Sequence, residues 1–212
     1  GSVALGIFQR QYIVVDGFKA EGMLKIHESQ NVTIQNCDVI FGSTEGNDTS
    51  LNWGMALHST RYSTLRNNWV HNMRSSGNSS HNTAAIMVGF GSSDNLIENN
   101  EADAGNGVVF SAFGQKGGDL FRNTWRRNLA RNAQAGFLGM GSTTGGLYSQ
   151  DNVFYQNIIV NSLDAFRLNH NSQRFLIYQN TAYNVDRFLY SAIPAQNIGT
   201  RVWNNILYQS DV

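Results

Sequence analysis

The sequence predicts an all-β solenoid, with about eight short coils of strand stacked along one axis. Three observations carry that expectation. A turn signature recurs eight times: Asn68, Asn100, Asn128, Asn157, Asn180 and Asn205 each follow a short alternating apolar run, and Gly17 and Cys37 take the same slot in the first two copies. The steps between them are 20, 31, 32, 28, 29, 23 and 25 residues. A period of that size belongs to solenoids, and its unevenness means loops inserted between turns. Composition agrees, because 21 Gly against the single Pro194 in 212 residues signals many turns and little helix.

Each coil reads as strand, turn, strand, Asn corner, strand, variable loop. The first strand family runs Met23 to His27, Gly54 to His58, Ala85 to Gly89, Gly107 to Ser111, Gly136 to Met140, Ala165 to Asn169 and Phe188 to Ala192. The second carries a large apolar residue three positions before the corner: Ile34, Leu65, Ile97, Trp125, Phe154, Ile177 and Val202. The next residue is polar or amphipathic, as in Gln35, Arg66, Glu98, Arg126, Tyr155, Tyr178 and Trp203. Two positions after the corner comes another apolar set: Val39, Val70, Ala102, Ala130, Ile159, Ala182 and Leu207. Alternation with period two describes strands with one face in and one face out. At the corner, Asn tolerates the left-handed backbone that a sharp bend needs, as does Gly17. The stacked amides are expected to bond to neighbours above and below, so the Asn set reads as scaffold.

With these phrases in view, the repeat resembles that of right-handed parallel β-helix proteins of the pectate-lyase-like superfamily. The likeness runs from about Tyr12 to Gln209 and implies the right-handed sense of the coil. The leucine-rich-repeat frame is absent. The likeness also implies substrate clefts beside the first strand family. The chain departs from that superfamily where chemistry is concerned. The Arg and Asp signatures of pectate lyases are missing, as are the Lys and Arg signatures of alginate and chondroitin lyases and the Asp-Asp and Gly-His-Gly signatures of polygalacturonases.

Composition narrows the partners. Fifteen Lys and Arg balance fifteen Asp and Glu, which argues against nucleic acid and anionic membrane. No apolar run is long enough to span a bilayer. The lone Cys37 forms no internal disulfide and no metal cluster. No cofactor is called for. Glu45, Asn47 and Asp48 offer oxygen ligands for Ca²⁺, but such an ion needs six or more. Sequons at Asn31, Asn47 and Asn78 are expected by chance in an Asn-rich chain. Residues 1–212 read as one domain. Its ends carry uncapped strands, so the chain is expected to be a segment of a longer solenoid or to associate end to end.

Two connections, Gly42 to Trp53 and Met73 to Thr83, are long and polar, and both rise beside the first strand family. On that family Lys25, His27 and His58 are expected to point outward, with Arg61 on the following turn. Met87, Val109, Leu138 and Met140 make the middle of the face apolar, and Arg167 and Asn169 return it to polar. A basic, His-bearing patch suits an acidic sugar. Removing the C5 proton of a uronate needs a neutralised carboxylate and a base, and Lys25, His27, His58 and Arg61 are the candidates for these roles. Arg74 and His81 are candidate groove walls with Arg167 and Asn169 as substrate contacts; His71 lies on another face. The acidic residues Asp38, Glu101 and Asp103 allow a hydrolytic pair. Tyr155, Tyr178 and Trp203 form an outward aromatic column that suits sugar rings or lateral packing. The sequence therefore points to an extracellular or cell-surface protein that binds or degrades acidic polysaccharide, by lyase chemistry where catalytic. The rival is a non-catalytic adhesin, filament subunit or fibre-like rod with a glycan-binding or partner-binding face.

Overall fold

The computed structural model describes residues 3–40, 52–73, 83–105, 107–114, 118–142 and 146–209. Three strand positions repeat along the chain, and a short three-stranded sheet of Leu120–Phe121, Ser149–Gln150 and Ser172–Gln173 adds a fourth in the later coils. The first face holds Val3–Phe8, Met23–His27, Asn52–His58, Thr83–Gly89 and Val108–Phe113. The second holds Val14–Asp16, Thr33–Gln35, Thr64–Arg66, Leu96–Glu98, Thr124–Arg126, Val153–Tyr155, Leu176–Tyr178 and Arg201–Trp203. The third opens with Lys19–Glu21, Asp38–Ile40, Trp69–His71 and Glu101–Asp103 and closes with Ile206–Tyr208. In later coils a third-face strand runs unbroken into the next first-face strand, as Leu129–Met140, Ile158–Leu168 and Thr181–Ser191. These long strands fuse the two faces into one 13-stranded sheet, beside the eight-stranded sheet of the second face.

Strand pairing among the described residues is parallel. Among the described residues eight second-face strands mark eight rungs, of which the first and last pair with one neighbour each and six are enclosed on both sides. The solenoid has about six full turns, slightly fewer than the eight coils expected from the sequence, because the outermost rungs are enclosed on one side only. A single short 3₁₀ turn, Pro194–Gln196, is the helical element among the described residues. The two long connections fall where expected, between third-face and first-face strands. Residues 41–51 and 74–82 lie outside the described residues, and with them Glu45, Asn47, Asp48, Arg74, Asn78 and His81.

Alternation places the apolar columns inside. Ile34, Leu65, Ile97, Trp125, Phe154 and Ile177 are buried, as are Val39, Val70, Ala102, Ala130, Ile159 and Ala182. Val202 and Leu207 continue these columns in the last rung at 41% and 51% exposure. Rungs five to seven concentrate the aromatic bulk: Phe110 stacks on Phe137 at 4.8 Å and Phe137 on Phe166 at 5.2 Å, with Trp125 on Phe154 beside them at 6.0 Å. Each such side chain contributes about 1.5–3 kcal/mol on burial.

The Asn corner differs from the sequence reading by one residue. Left-handed backbone belongs to the residue before each Asn: Asn67, Asn99, Arg127, Gln156, Gln179 and Asn204, with φ between 52° and 57°. That position faces solvent and accepts Arg or Gln, whereas the next is inward and needs an amide. Gly17, with φ of 68°, is level with Asn36, so Phe18 and not Gly17 shares the slot of Cys37. Along the buried column each amide carbonyl accepts from the backbone N–H and side-chain N–H₂ of the Asn one rung earlier, at 2.9–3.1 Å from Asn68 to Asn205. Cys37 heads the run, its backbone N–H donating to Asn68 Oδ1 at 3.0 Å. A second column, Ser63, Asn95, Asn123 and Asn152, closes the turn between the first and second faces in the same way.

Candidate functional site

The end of each first-face strand sets one column, and register runs through Phe8, His27, His58, Gly89 and Phe113. The residue after each of the first four turns left-handed: Gln9, Glu28, Ser59 and Phe90, with φ of 52°, 48°, 48° and 54°. A hydroxyl then fastens the bend in the middle rungs. Ser29 Oγ donates to His27 O at 2.8 Å, Thr60 Oγ1 to His58 O at 2.9 Å and Ser92 Oγ to Gly89 O at 2.6 Å. In rung four, Gly89 leaves room on the column, and the ring of the left-handed Phe90 lies against His58 at 4.3 Å. The result is a run of tilted rings, with Phe8 to His27 at 6.0 Å, His27 to His58 at 5.9 Å, Trp53 to His58 at 5.0 Å and Phe90 to Phe113 at 5.9 Å.

His58 departs from the expectation of an outward, accessible imidazole. It is 8% exposed, closed in by Trp53 and Phe90, and its Nε2 has no partner among the described residues. Burial foremost, then the charges of Lys25 and His27, depress its pKa to about 3, so the ring is neutral in ordinary buffers. Its neighbours stay accessible: Phe8 is 47% exposed and the His27 side chain 33%. Lys25 is half-buried on the adjacent column. Round the turn, an open groove of about 460 Å³ is lined by Gln9, Arg10, Glu28 and Arg61 among others. Gln9 Nε2 donates to Glu28 Oε2 at 2.9 Å. Arg61 is exposed there, and no ion pair engages it or Lys25 among the described residues.

Four of the candidate residues are therefore brought together: Lys25, His27 and His58 on neighbouring strands and Arg61 on the turn that follows. Arg167 and Asn169 are not. Register carries Lys25 through Ala56, Met87, Ser111 and Leu138 to Arg167, five rungs and about 24 Å away. Between them the face is covered, with Ala56, Met87, Ser111 and Leu138 all below 5% exposure. Val109 lies off this column, opposite Ala85 rather than Met87. Arg167 and Asn169 are themselves 7% exposed. Arg74 and His81 lie outside the described residues.

The alternative sites are occupied by their own neighbours. On the third face His71 Nε2 meets Asp38 Oδ1 at 2.8 Å and its ring stacks on Trp69 at 3.7 Å. Glu101 takes Arg131 at 2.9 Å, and Asp103 takes Gly105 N–H and Asn132 at 3.0 and 2.7 Å. The carboxylate oxygens of Asp38, Glu101 and Asp103 are thus engaged by neighbouring donors. Tyr155, Tyr178 and Trp203 stack on one another at 5.2 and 4.6 Å with interplanar angles of 4° and 12°. Tyr178 is thus enclosed between two rings, while Trp203 at the end of the stack is 40% exposed.

The sequence reading missed Trp53, Phe90 and Phe8. A signal was present: Phe8 ends the same strand position as His27 and His58, and Phe90 directly follows Gly89, which holds that position in the next coil.

No protein-family model and no curated protein matches the chain. Solved structures do. The tailspike protein of E. coli bacteriophage HK620 in complex with pentasaccharide superposes with a TM-score of 0.69 at 12% identity, covering 94% of this chain and 39% of that one. A mutant of that tailspike in complex with hexasaccharide gives 0.66 at 12% identity, over 92% and 41%. This chain thus spans about two fifths of the length of the structures it matches. At that identity the likeness concerns the fold alone, and what the structures share with this chain is a parallel β-solenoid.

Proposed function

We propose that this chain binds acidic polysaccharide outside the cell, through the open end of its first face and the adjoining turn groove. One observation carries the reading: an accessible ring run, Phe8 and His27, ends beside a groove where Arg10 and Arg61 outnumber Glu28, with Lys25 half-buried on the adjacent column. Tilted rings leave faces for sugar stacking, and Arg and Lys side chains take carboxylates as charge-assisted hydrogen bonds. The oligosaccharide complexes of the tailspike structures support it, since they show this architecture holding a glycan in those proteins. The buried, neutral His58 supports the rings rather than reaching a ligand.

β-Elimination is the catalytic form of the same reading. Lys25 or His27 takes the C5 proton, Arg61 neutralises the carboxylate, the C4 leaving group departs, and a C4=C5 double bond remains. Calorimetric titration with uronate oligosaccharides of the alginate, pectate and glycosaminoglycan classes tests the binding. His27→Ala and Arg61→Ala should each weaken it by about tenfold, equivalent to about 1.4 kcal/mol. Silence across all three classes would sink the proposal. Ultraviolet absorbance of unsaturated uronate, followed in the same mixtures, decides the chemistry: its absence removes the lyase step and leaves the binding.

A further inference from the structure

The opposite end of the first face carries a second charged cluster. Asp164 is fully buried, on a register column that runs from Trp53 through Ala135 to Asp164 and Arg187. A carboxylate without partners there is untenable. Arg167 donates Nε to Asp164 Oδ2 at 2.6 Å and Nη1 to Gln134 Oε1 at 3.2 Å, and its Nη2 also meets Asp164 Oδ2. Every nitrogen of Arg167 is engaged. Arg187 donates Nε to Asp164 Oδ1 at 2.6 Å, and its two terminal nitrogens have no partner among the described residues. Its side chain is 42% exposed, and Cζ lies 4.2 Å over the Tyr190 ring. One carboxylate against two guanidiniums leaves a charge of +1. An open pocket of about 380 Å³ begins here, lined by Arg167, Asn169, His170, Arg187 and Tyr190 among others.

We propose that this pocket binds a sugar acid, with the terminal nitrogens of Arg187 taking its carboxylate. A guanidinium anchored through Nε and stacked on an aromatic ring is pre-organised, so little side-chain entropy is lost on binding. Its planar fork matches a carboxylate in bidentate geometry, and a single negative charge neutralises the cluster. Asn169 and His170 supply donors and acceptors for the ring hydroxyls. Asp164 and Arg167 are positioning residues that hold Arg187 in place. Arg167, on the wall of this pocket, stands five rungs and about 24 Å from Lys25, and a monosaccharide fills the pocket without any polymer reaching between the two sites.

Nuclear magnetic resonance titration of the whole chain tests this, with the Arg187 Nε–Hε and Tyr190 ring signals as readouts. Glucuronate should give saturable shifts in the millimolar range and glucose none, with acetate and inorganic phosphate at least tenfold weaker than glucuronate. Arg187→Gln should abolish saturation. Arg187→Lys keeps a charge beside Asp164 but loses the fork, and should weaken binding by about tenfold with the remaining spectrum unchanged. Glucuronate shifts that survive Arg187→Lys at full strength would overturn the proposal, as would acetate or phosphate binding as tightly as glucuronate. His27→Ala should leave this titration untouched, so loss of the polymer site and loss of this one are read separately.

Discussion

His58 shows how one packing decision sets a residue's chemistry. Trp53 and Phe90 close over it, and its pKa falls to about 3 through burial first and the charges of Lys25 and His27 second. In the unfolded chain the imidazole titrates near its ordinary value of about 6.5. Between these two values the unfolded state binds a proton that the folded state refuses, so stability rises with pH across that window and falls as pH is lowered through it. The contribution is complete above about pH 6.5. Below it, each unit of pH should remove about 1.4 kcal/mol until the folded ring itself protonates. His58→Phe keeps a ring between Trp53 and Phe90 and removes the titration. Denaturant unfolding at pH 7, 5 and 4 should therefore show the wild-type chain losing more stability than the variant, with the gap widening as pH falls. Parallel losses in the two proteins would show that His58 is not held neutral. Asp16 and Asp94, whose pKa values are lowered chiefly by side-chain hydrogen bonds from Asn36 and Arg122 respectively, are common to both and cancel in the comparison.

The corner between the second and third faces is the element that repeats most faithfully, and its stability is carried by amides rather than by apolar burial. Asn128 is typical: Oδ1 accepts from Asn100 N and Nδ2, and Nδ2 donates to Ile97 O and Asn157 Oδ1, all at 2.9–3.1 Å. Truncation strands buried polar groups on both adjoining rungs. Asn128→Ala should cost about 2–4 kcal/mol, since each orphaned group carries about 1–3 kcal/mol. Arg127→Ala, at the exposed left-handed position one residue earlier, should cost less than half as much, and chemical denaturation of the two variants checks the order. The same corner shows where sequence reading loses its grip. The apolar columns were legible because every coil must bury the same face, and Leu65, Ile97 and Phe154 sit where alternation puts them. The corner was read one residue late because Asn67-Asn68, Asn99-Asn100 and Asn204-Asn205 are doublets. Only Arg127-Asn128, Gln156-Asn157 and Gln179-Asn180 separate the left-handed residue from the inward amide. The candidate site was legible to the same depth. Alternation brought Lys25, His27 and His58 to one face, but it cannot show that a neighbouring Phe90 folds over the imidazole. Nor does it reveal the bond between Asp164 and Arg167, because residues three apart on an ideal strand lie on opposite faces.

At the scale of the whole molecule, stability is a sum over rungs and their interfaces, and this chain distributes it unevenly. Rungs five to seven hold Phe110, Trp125, Phe137, Phe154 and Phe166 in mutual contact, each enclosed by neighbours on both sides. Among the described residues the first and eighth rungs pair with one neighbour each, and Val14, Val202 and Leu207 are 66%, 41% and 51% exposed. Local opening should follow that gradient, because amides exchange through the cheapest fluctuation that frees them. Opening an outer rung breaks one interface and releases little apolar area. Opening rung six breaks two and exposes an aromatic stack. Native-state hydrogen exchange should therefore place the most protected amides around Phe110, Phe137 and Phe166, with those of Val14–Asp16 and Arg201–Trp203 exchanging at least about 100-fold faster. Phe137→Leu should level the profile by lowering the central maximum while leaving the outer rungs unchanged, since the removed contacts to Phe110, Phe154 and Phe166 are all central. Uniform protection from the first rung to the eighth would mean that the solenoid opens as one cooperative unit, and the rung-by-rung account of its stability would have to be abandoned.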